Sequence, residues 1–438
     1  EALALEHRPK VIIAGYTSYP RQPHWAKFLQ IADRVGAYLL ADIAHVAGMV
    51  VAGAYATPVG YADVISFTTH KTLCGPRGAC ILTTDYDLAR QIDRAVFPGV
   101  QGGPHVNKFA AMATAFRLVQ TEQFHDLQHQ IATNARVLAR ALVDEGLRVP
   151  CGGTNTHLLL LDCKTIRGRD DTPLMGGVTA TILDLIGIVV NKNTIPGDKS
   201  GAYPSGIRLG TPWVTQRGLR EPEMERIASI VARTMKAIEP FAYTHVGGPA
   251  YRGKIPFNVL EEMRLEVVEI AHAAGIDFKL PCSGYPHHCL VPELRERDEQ
   301  TTLVELEGNA AASFVEKLTP IDIDDLDQEI WRDAPLLDRK GDVLSPALIQ
   351  RPGFGYNRYH LAVPAEQAQP VVAWLRHLSD GFVLFDDHYI EAKLPGPVVV
   401  RDLGSADEVL GEEVAPGEPS SPSVSHKPYF IGLNGDGY

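Results

Sequence analysis

The residues with the clearest chemical capacity lie in one stretch, SFTTHKTLCGPRG at 66–78, where Lys71 is flanked by hydroxyls, by His70 and by a glycine–proline turn. The apolar run before it, residues 62–67, reads as a strand, so the Lys71 amine is expected at a strand end. A lysine held there and partly desolvated loses its proton more readily, and its neutral amine can condense with a carbonyl. Taken alone, a loop lysine is more simply a solvated surface charge. A second stretch changes that weighing. Residues 37–41, AYLLA, read as a buried strand that runs into Asp42-Ile43-Ala44-His45. A carboxylate at a buried strand end is costly unless a cation or several donors meet it.

A protonated pyridine nitrogen is such a cation, and strand, aspartate, turn, strand, lysine is the outline of a pyridoxal-phosphate (PLP) site. The segments TTHKTLCGPRG, ADIAHVAG and PGVQGGP resemble the cofactor-binding segments of the serine hydroxymethyltransferase family. The resemblance implies an α/β fold, fold type I of the PLP-dependent transferases, with an incomplete large domain at 1–146 and a small α/β domain at 147–240. It implies Lys71 as the Schiff-base lysine, Asp42 as partner of the ring nitrogen and His45 beside the ring. Thr17, Thr68 and Gly103 are implied as further cofactor contacts, His70 as an active-site residue and Arg77 as a substrate contact. It also implies a long segment ahead of Val11 that carries a phosphate-binding loop, a stacking aromatic and an acidic catalytic residue. The expectation is that this chain lacks that segment, or that a partner chain supplies it.

The elements that must position these groups follow from periodicity. Residues 11–14 form a short apolar strand, and 25–35 carry apolar residues at helical spacing up to Gly36, which suits a helix C-cap. Strand, helix and strand alternate up to Ser66, which predicts a parallel sheet whose ligands bind beyond the carboxyl ends of its strands. Thr17, Asp42 and Lys71 fall at such ends. A further strand is expected at 79–84, a helix at 85–95 and mostly helix over 105–146. Between them, the glycines of Gly99 to Pro104 let a backbone approach an anion, although such a turn is often only a turn. In the resembling family this turn reaches the phosphate of the neighbouring subunit, which implies a homodimer.

In the second region strands are expected at 157–162 and 188–190, with helices at 178–185 and 221–238. The segment NKNTIP resembles the place where the family holds folate, with Asn193 at the matching asparagine. In SGIRLGTP, Arg208 sits between small residues, a setting that suits a two-pronged grip on a carboxylate, although an arginine taken alone is more often a surface ion pair. Glycine and proline at 241–256 mark a linker. Beyond it a helix is expected at 257–274, and residues 303–344 with 356–375 are similar to the folate-binding domain of the glycine cleavage T-protein, an aminomethyltransferase. The expected third domain is therefore α+β over 257–411, followed by a linker and tail at 412–438. It departs from that family where paired aspartates belong: Ser345 and Pro346 stand nearby.

Composition excludes several classes. A net charge of −12 leaves no basic surface for nucleic acid or anionic membranes, and no apolar run is long enough to span a bilayer. The six cysteines show no CxxC spacing and read as reduced thiols of a cytoplasmic protein. Cys282, His287, His288 and Cys289 match no usual zinc pattern, and the acidic run 322–327 lacks the glycine and glutamate of a calcium loop, so no metal site is expected. The expectation is PLP-dependent interconversion of serine and glycine, with the one-carbon unit passed to tetrahydrofolate. Threonine aldol cleavage, transamination, a non-catalytic fragment and a folate-binding module remain alternatives.

Overall fold

The computed structural model describes residues 1–245, 248–274, 301–338, 341–353, 357–385, 389–390 and 392–405. Two compact units emerge. One comprises Glu1–Ile166, Met175–Ala180 and Val190–Met235, and the other Arg167–Leu174, Thr181–Val189 and the chain from Lys236 onward.

The first unit begins with helix α1 (Ala2–His7) and strand β1 (Val11–Ala14), followed by α2 (Trp25–Val35), β2 (Tyr38–Asp42), α3 (Ala47–Val51), β3 (Val64–Thr68) and β4 (Ala79–Leu82). The strands form one sheet in the order β1-β2-β3-β4. β1 and β2 run parallel with Val11 opposite Tyr38, and β2 and β3 with Leu40 opposite Val64. Alternate residues Ala14, Leu39, Ala41 and Ile65 turn to one face and pack with Trp25, Ala32 and Met49 of α2 and α3. As expected, α2 ends at Gly36, whose φ of +68° is a left-handed conformation that glycine adopts without strain.

The further strand expected here, β4, is antiparallel to β3, because the short loop holding Lys71 and the Gly75-Pro76 turn contains no crossover helix and can only return the chain. Two expectations need correction. Asp42 is exposed, since it ends β2 at the carboxyl edge of the sheet where the strand leaves the core. The strand expected at 188–190 lies instead at Asn191–Asn193, because Gly187, with φ +91°, and Ile188 are used in ending the preceding helix.

Helices α4 (Tyr86–Arg94), α5 (Val106–Leu118) and α6 (Glu122–Asp144) follow. The expected long helix is thus divided where Thr121 caps α6, its hydroxyl accepting from the Phe124 amide at 3.4 Å. Strand β5 (Leu158–Asp162), helix α7 (Gly176–Leu185), β6 (Asn191–Asn193) and β7 (Gly206–Gly210) come next, then α8 (Pro212–Gln216) and α9 (Glu221–Ala237). The three strands form an antiparallel sheet in the order β5-β7-β6, with Arg208 opposite both Leu160 and Asn191.

In the second unit the stretch expected as a linker is an antiparallel hairpin of β8 (Glu239–His245) and β9 (Gly248–Lys254). The ladder satisfies the backbone in spite of the glycines and prolines. After α10 (Phe257–Ala273) come β10 (Thr301–Glu307), α11 (Ala311–Glu316), β11 (Arg332–Asp333), β12 (Leu336–Leu337), β13 (Val343–Ser345), β14 (Leu348–Gln350), β15 (Arg358–Pro364), α12 (Ala368–Asp380) and β16 (Val399–Ser405). Their main sheet has the order β11-β14-β15-β10-β16 among the described residues, and α12 meets β10 and β16. The run 322–327 forms a short helical turn in which the Asp322 carboxylate accepts from the Asp324 amide at 3.0 Å. No cluster of potential metal ligands and no helix long and apolar enough to cross a membrane occur among the described residues. Cys282, His287, His288, Cys289 and the expected tail at 412–438 lie outside the described residues.

A demanding backbone approach in the first unit is at Gly48. A Cβ there would lie 2.1 Å from the Thr72 carbonyl oxygen, a backbone atom that cannot swing aside. Gly48→Ala is therefore expected to destabilise the chain by about 1–3 kcal/mol through overpacking, which chemical denaturation measures as a lower midpoint at unchanged slope.

Candidate functional site

The site is built on the carboxyl edge of β1, β2 and β3. Gly15 follows β1 with φ +154°, and a Cβ on it would lie 2.0 Å from the Asp42 carbonyl oxygen, so glycine lets the first strand pass against the second at this edge. Asp42 then turns the chain. Its Oδ1 accepts from the Ala44 amide at 3.0 Å, while Oδ2 has no hydrogen bond among the described residues. That oxygen is available to a cationic donor.

The lysine loop is stitched to this turn by hydroxyls. Thr68 Oγ1 donates to the Ala44 carbonyl at 3.2 Å, and Thr72 Oγ1 donates to the His45 carbonyl at 2.9 Å while accepting from the Gly48 amide at 3.2 Å. Thr69, fully buried, donates to the Pro76 carbonyl at 2.5 Å and closes the loop on itself. Lys71 is half-buried. Burial lowers its pKa, Asp42 opposes that change, and the cations of Arg208 and Arg77 add to it. A larger share of neutral amine results, as a nucleophilic lysine requires. His70 is likewise lowered, first by burial and then by Arg77, and its Nδ1 is buried without a hydrogen-bond partner among the described residues.

Arg208 reaches the same edge from β7. Its Nη1 donates to the Thr17 carbonyl at 2.8 Å and its Nη2 to Asn191 Oδ1 at 3.0 Å. Among the described residues no carboxylate pairs with it, so the surface ion pair that such an arginine usually makes is absent. Ser18 links Arg208 to Asn193: it lies 3.4 Å from Nη1 and donates to Asn193 Oδ1 at 2.8 Å. Thr17 thus contributes its carbonyl. Gly103 and Arg77 are exposed, and the space around the Gly103 Cβ position is open. Sequence reasoning missed Ser18, Asn191 and His157. The first two had only a polar strand end as signal, and His157 resembled an ordinary strand residue.

His157 stacks on His45, ring centroids 5.7 Å apart and planes 25° from parallel. Burial, then the nearby Lys71 cation, pushes His45 down to about 3. Burial, then Arg208, pushes His157 down to about 4. Both rings are neutral near pH 7. The reach of these effects places Lys71, Asp42, His45, His157 and Arg208 in one electrostatic neighbourhood.

The sequence profile described as serine hydroxymethyltransferase matches residues 1–231, just over half of the 438-residue chain. The chain belongs to the serine hydroxymethyltransferase family. Members of that family are PLP-dependent transferases of fold type I that move one-carbon units between serine, glycine and folate. The residues present fit such a cofactor. Asp42 has a free carboxylate oxygen for a protonated ring nitrogen, Lys71 a partly desolvated amine, and His70 and His157 buried ring nitrogens without partners among the described residues.

The histidines also make stability depend on pH. Their folded pKa values lie below the unfolded value near 6.5, so between about pH 6.5 and the folded values the unfolded chain binds more protons. Stability is therefore complete above 6.5 and is lost as pH falls toward 4. Melting temperature is expected to drop across that interval, with a flatter profile in His157→Phe.

Proposed function

We propose that this chain carries out PLP-dependent interconversion of serine and glycine, with the one-carbon unit passed to tetrahydrofolate. The observation that carries the reading is an arginine facing the lysine and aspartate edge with no carboxylate of its own. Arg208 is oriented by Thr17 and Asn191, yet its charge is unpaired among the described residues. An amino-acid carboxylate is the ligand that a fixed, planar guanidinium of this kind accepts best.

Each residue then has a defined task. Lys71 offers its neutral amine for covalent attachment of the cofactor's carbonyl carbon. Asp42, through its free carboxylate oxygen, keeps a proton on the ring nitrogen. PLP, when bound, supplies an electron-accepting ring that takes up the pair released as the Cα–Cβ bond of serine breaks. Arg208 holds the substrate carboxylate and thereby fixes which bond at Cα stands ready to break. His45, neutral, lies against the ring without adding a competing charge. Thr68 and Thr72 hold the two loops together, so that lysine and aspartate keep their separation. Ser18 and Asn193 form the polar edge on which folate is positioned. Gly103 and the PGVQGGP turn serve the phosphate of a second copy in a homodimer.

The region that resembles an aminomethyltransferase is assigned no second catalytic centre. Ser345, near where that family carries aspartates, is buried, and its hydroxyl is used by the Pro346 carbonyl at 2.9 Å. A folate-binding or structural role suits it better.

Purified protein mixed with PLP is expected to develop a visible absorption band that Lys71→Ala abolishes, and to cleave serine only when tetrahydrofolate is supplied. Cleavage without folate would favour aldol chemistry at the same site. Arg208→Lys is expected to raise KM for serine by about 10- to 100-fold, the cost of about 1.5–3 kcal/mol for a hydrogen bond to a charged group, while the band from PLP alone persists.

A further inference from the structure

The His45 side chain has no polar anchor of its own. Thr72 fixes its carbonyl, but among the described residues the ring makes no hydrogen bond, and its one ring contact is the stack with His157. His157 is likewise fixed at its backbone, and its ring is buried. Its carbonyl accepts from the Thr211 amide at 3.0 Å, and the Thr211 hydroxyl donates to the Ile131 carbonyl of α6 at 2.8 Å. Thr211 itself is 1% exposed. The next residue, Leu158, opens β5, which pairs with the strand that carries Arg208.

The rest of the His157 ring is unusual for a purely structural histidine. The residue is 7% exposed, yet Nδ1 has no hydrogen-bond partner among the described residues. A buried polar atom left in this way costs free energy that a phenylalanine or leucine of similar size would not. With Asp42, His45, Tyr16, Tyr19 and Tyr55, His157 lines a cavity of about 10 Å³, enough for about one water molecule. Lys71 and Arg208, both cations, act against a proton on either ring, while Asp42 lines the same cavity.

We infer that His157 is a positioning residue for the PLP reaction, whose flat, buried ring sets the plane in which the ring of His45 meets the cofactor. The inference rests on the proposed function for the cofactor but not for its first test. Stacked rings of this kind prefer an offset, near-parallel arrangement, and a β-strand start anchored at both flanks is a firmer support than the turn that carries His45. The same strand pairs with Arg208, so one rigid element carries both the support for the ring and the grip on the substrate.

The test uses the full chain with isotope-labelled histidine, first without PLP. In the wild type the His45 ring protons should be shifted upfield by the ring current of His157. His157→Phe, nearest in shape, should deepen that shift, because a benzene ring current exceeds that of imidazole. His157→Leu and His157→Gln should remove it. With PLP added, the Leu and Gln variants should keep the Lys71-dependent absorption band but change its circular dichroism, and Phe should restore the wild-type signal. In the same two variants kcat should fall about tenfold or more, as misplacement of a supporting group does, with KM for serine within about twofold. His45 resonances unaltered by His157→Phe overturn the stack, and with it the inference, even if the other variants do not fold. Absence of any band in the wild type overturns the PLP reading instead, and leaves the resonance test in force.

Discussion

One buried hydroxyl, that of Thr72, joins the two loops on which the rest of the site depends. It is 4% exposed, donates to the carbonyl of His45 and accepts from the amide of Gly48. Its own carbonyl accepts from Gln128 of α6 at 2.8 Å. Lys71 is its immediate neighbour. The separation of the lysine from the aspartate turn is thus set by a short hydrogen-bonded network rather than by the charges themselves, which solvent and salt would screen. Gly48 is part of the same constraint, since only a residue without Cβ lets α3 lie against the Thr72 carbonyl.

Around this junction the charges are deliberately unbalanced. Lys71, Arg77 and Arg208 bring three cations to an edge that holds Asp42, and the nearby histidines are kept neutral. A cation excess that is unpaired among the described residues, at the carboxyl ends of parallel strands, is a receptive field for an anionic ligand. A phosphate and an amino-acid carboxylate both have the matching sign.

The second unit shows the opposite arrangement. Glu305, 6% exposed, hydrogen-bonds His360, which holds its carboxyl down at about 2, with Arg401 and Arg358 adding to the effect against desolvation. Glu307 pairs with the same two arginines. On this sheet every cation in the cluster has a carboxylate and every carboxylate a cation, which is how a structural network spends its charges. Arg208 in β7 and Arg358 at the start of β15 are both strand arginines, and what separates them is their partners: among the described residues Arg208 has no carboxylate and Arg358 has two.

Local chemistry made much of this legible in the chain alone. The strand–helix alternation, the Gly36 cap, the short strands ending near Asp42 and Lys71, and the residue types able to serve a PLP cofactor all follow from periodicity and side-chain identity, which are properties of neighbouring residues. Contacts between distant segments were not legible. That Asp42 is exposed, that β4 turns back, that Glu239–His245 and Gly248–Lys254 pair as antiparallel strands, and that Ser18 meets Asn193 across 175 residues were decided only by packing. His157 is the clearest case. In the sequence it is one polar residue before four leucines, and only the fold brings its ring against His45, because stacking depends on position in space and leaves no spacing pattern along the chain.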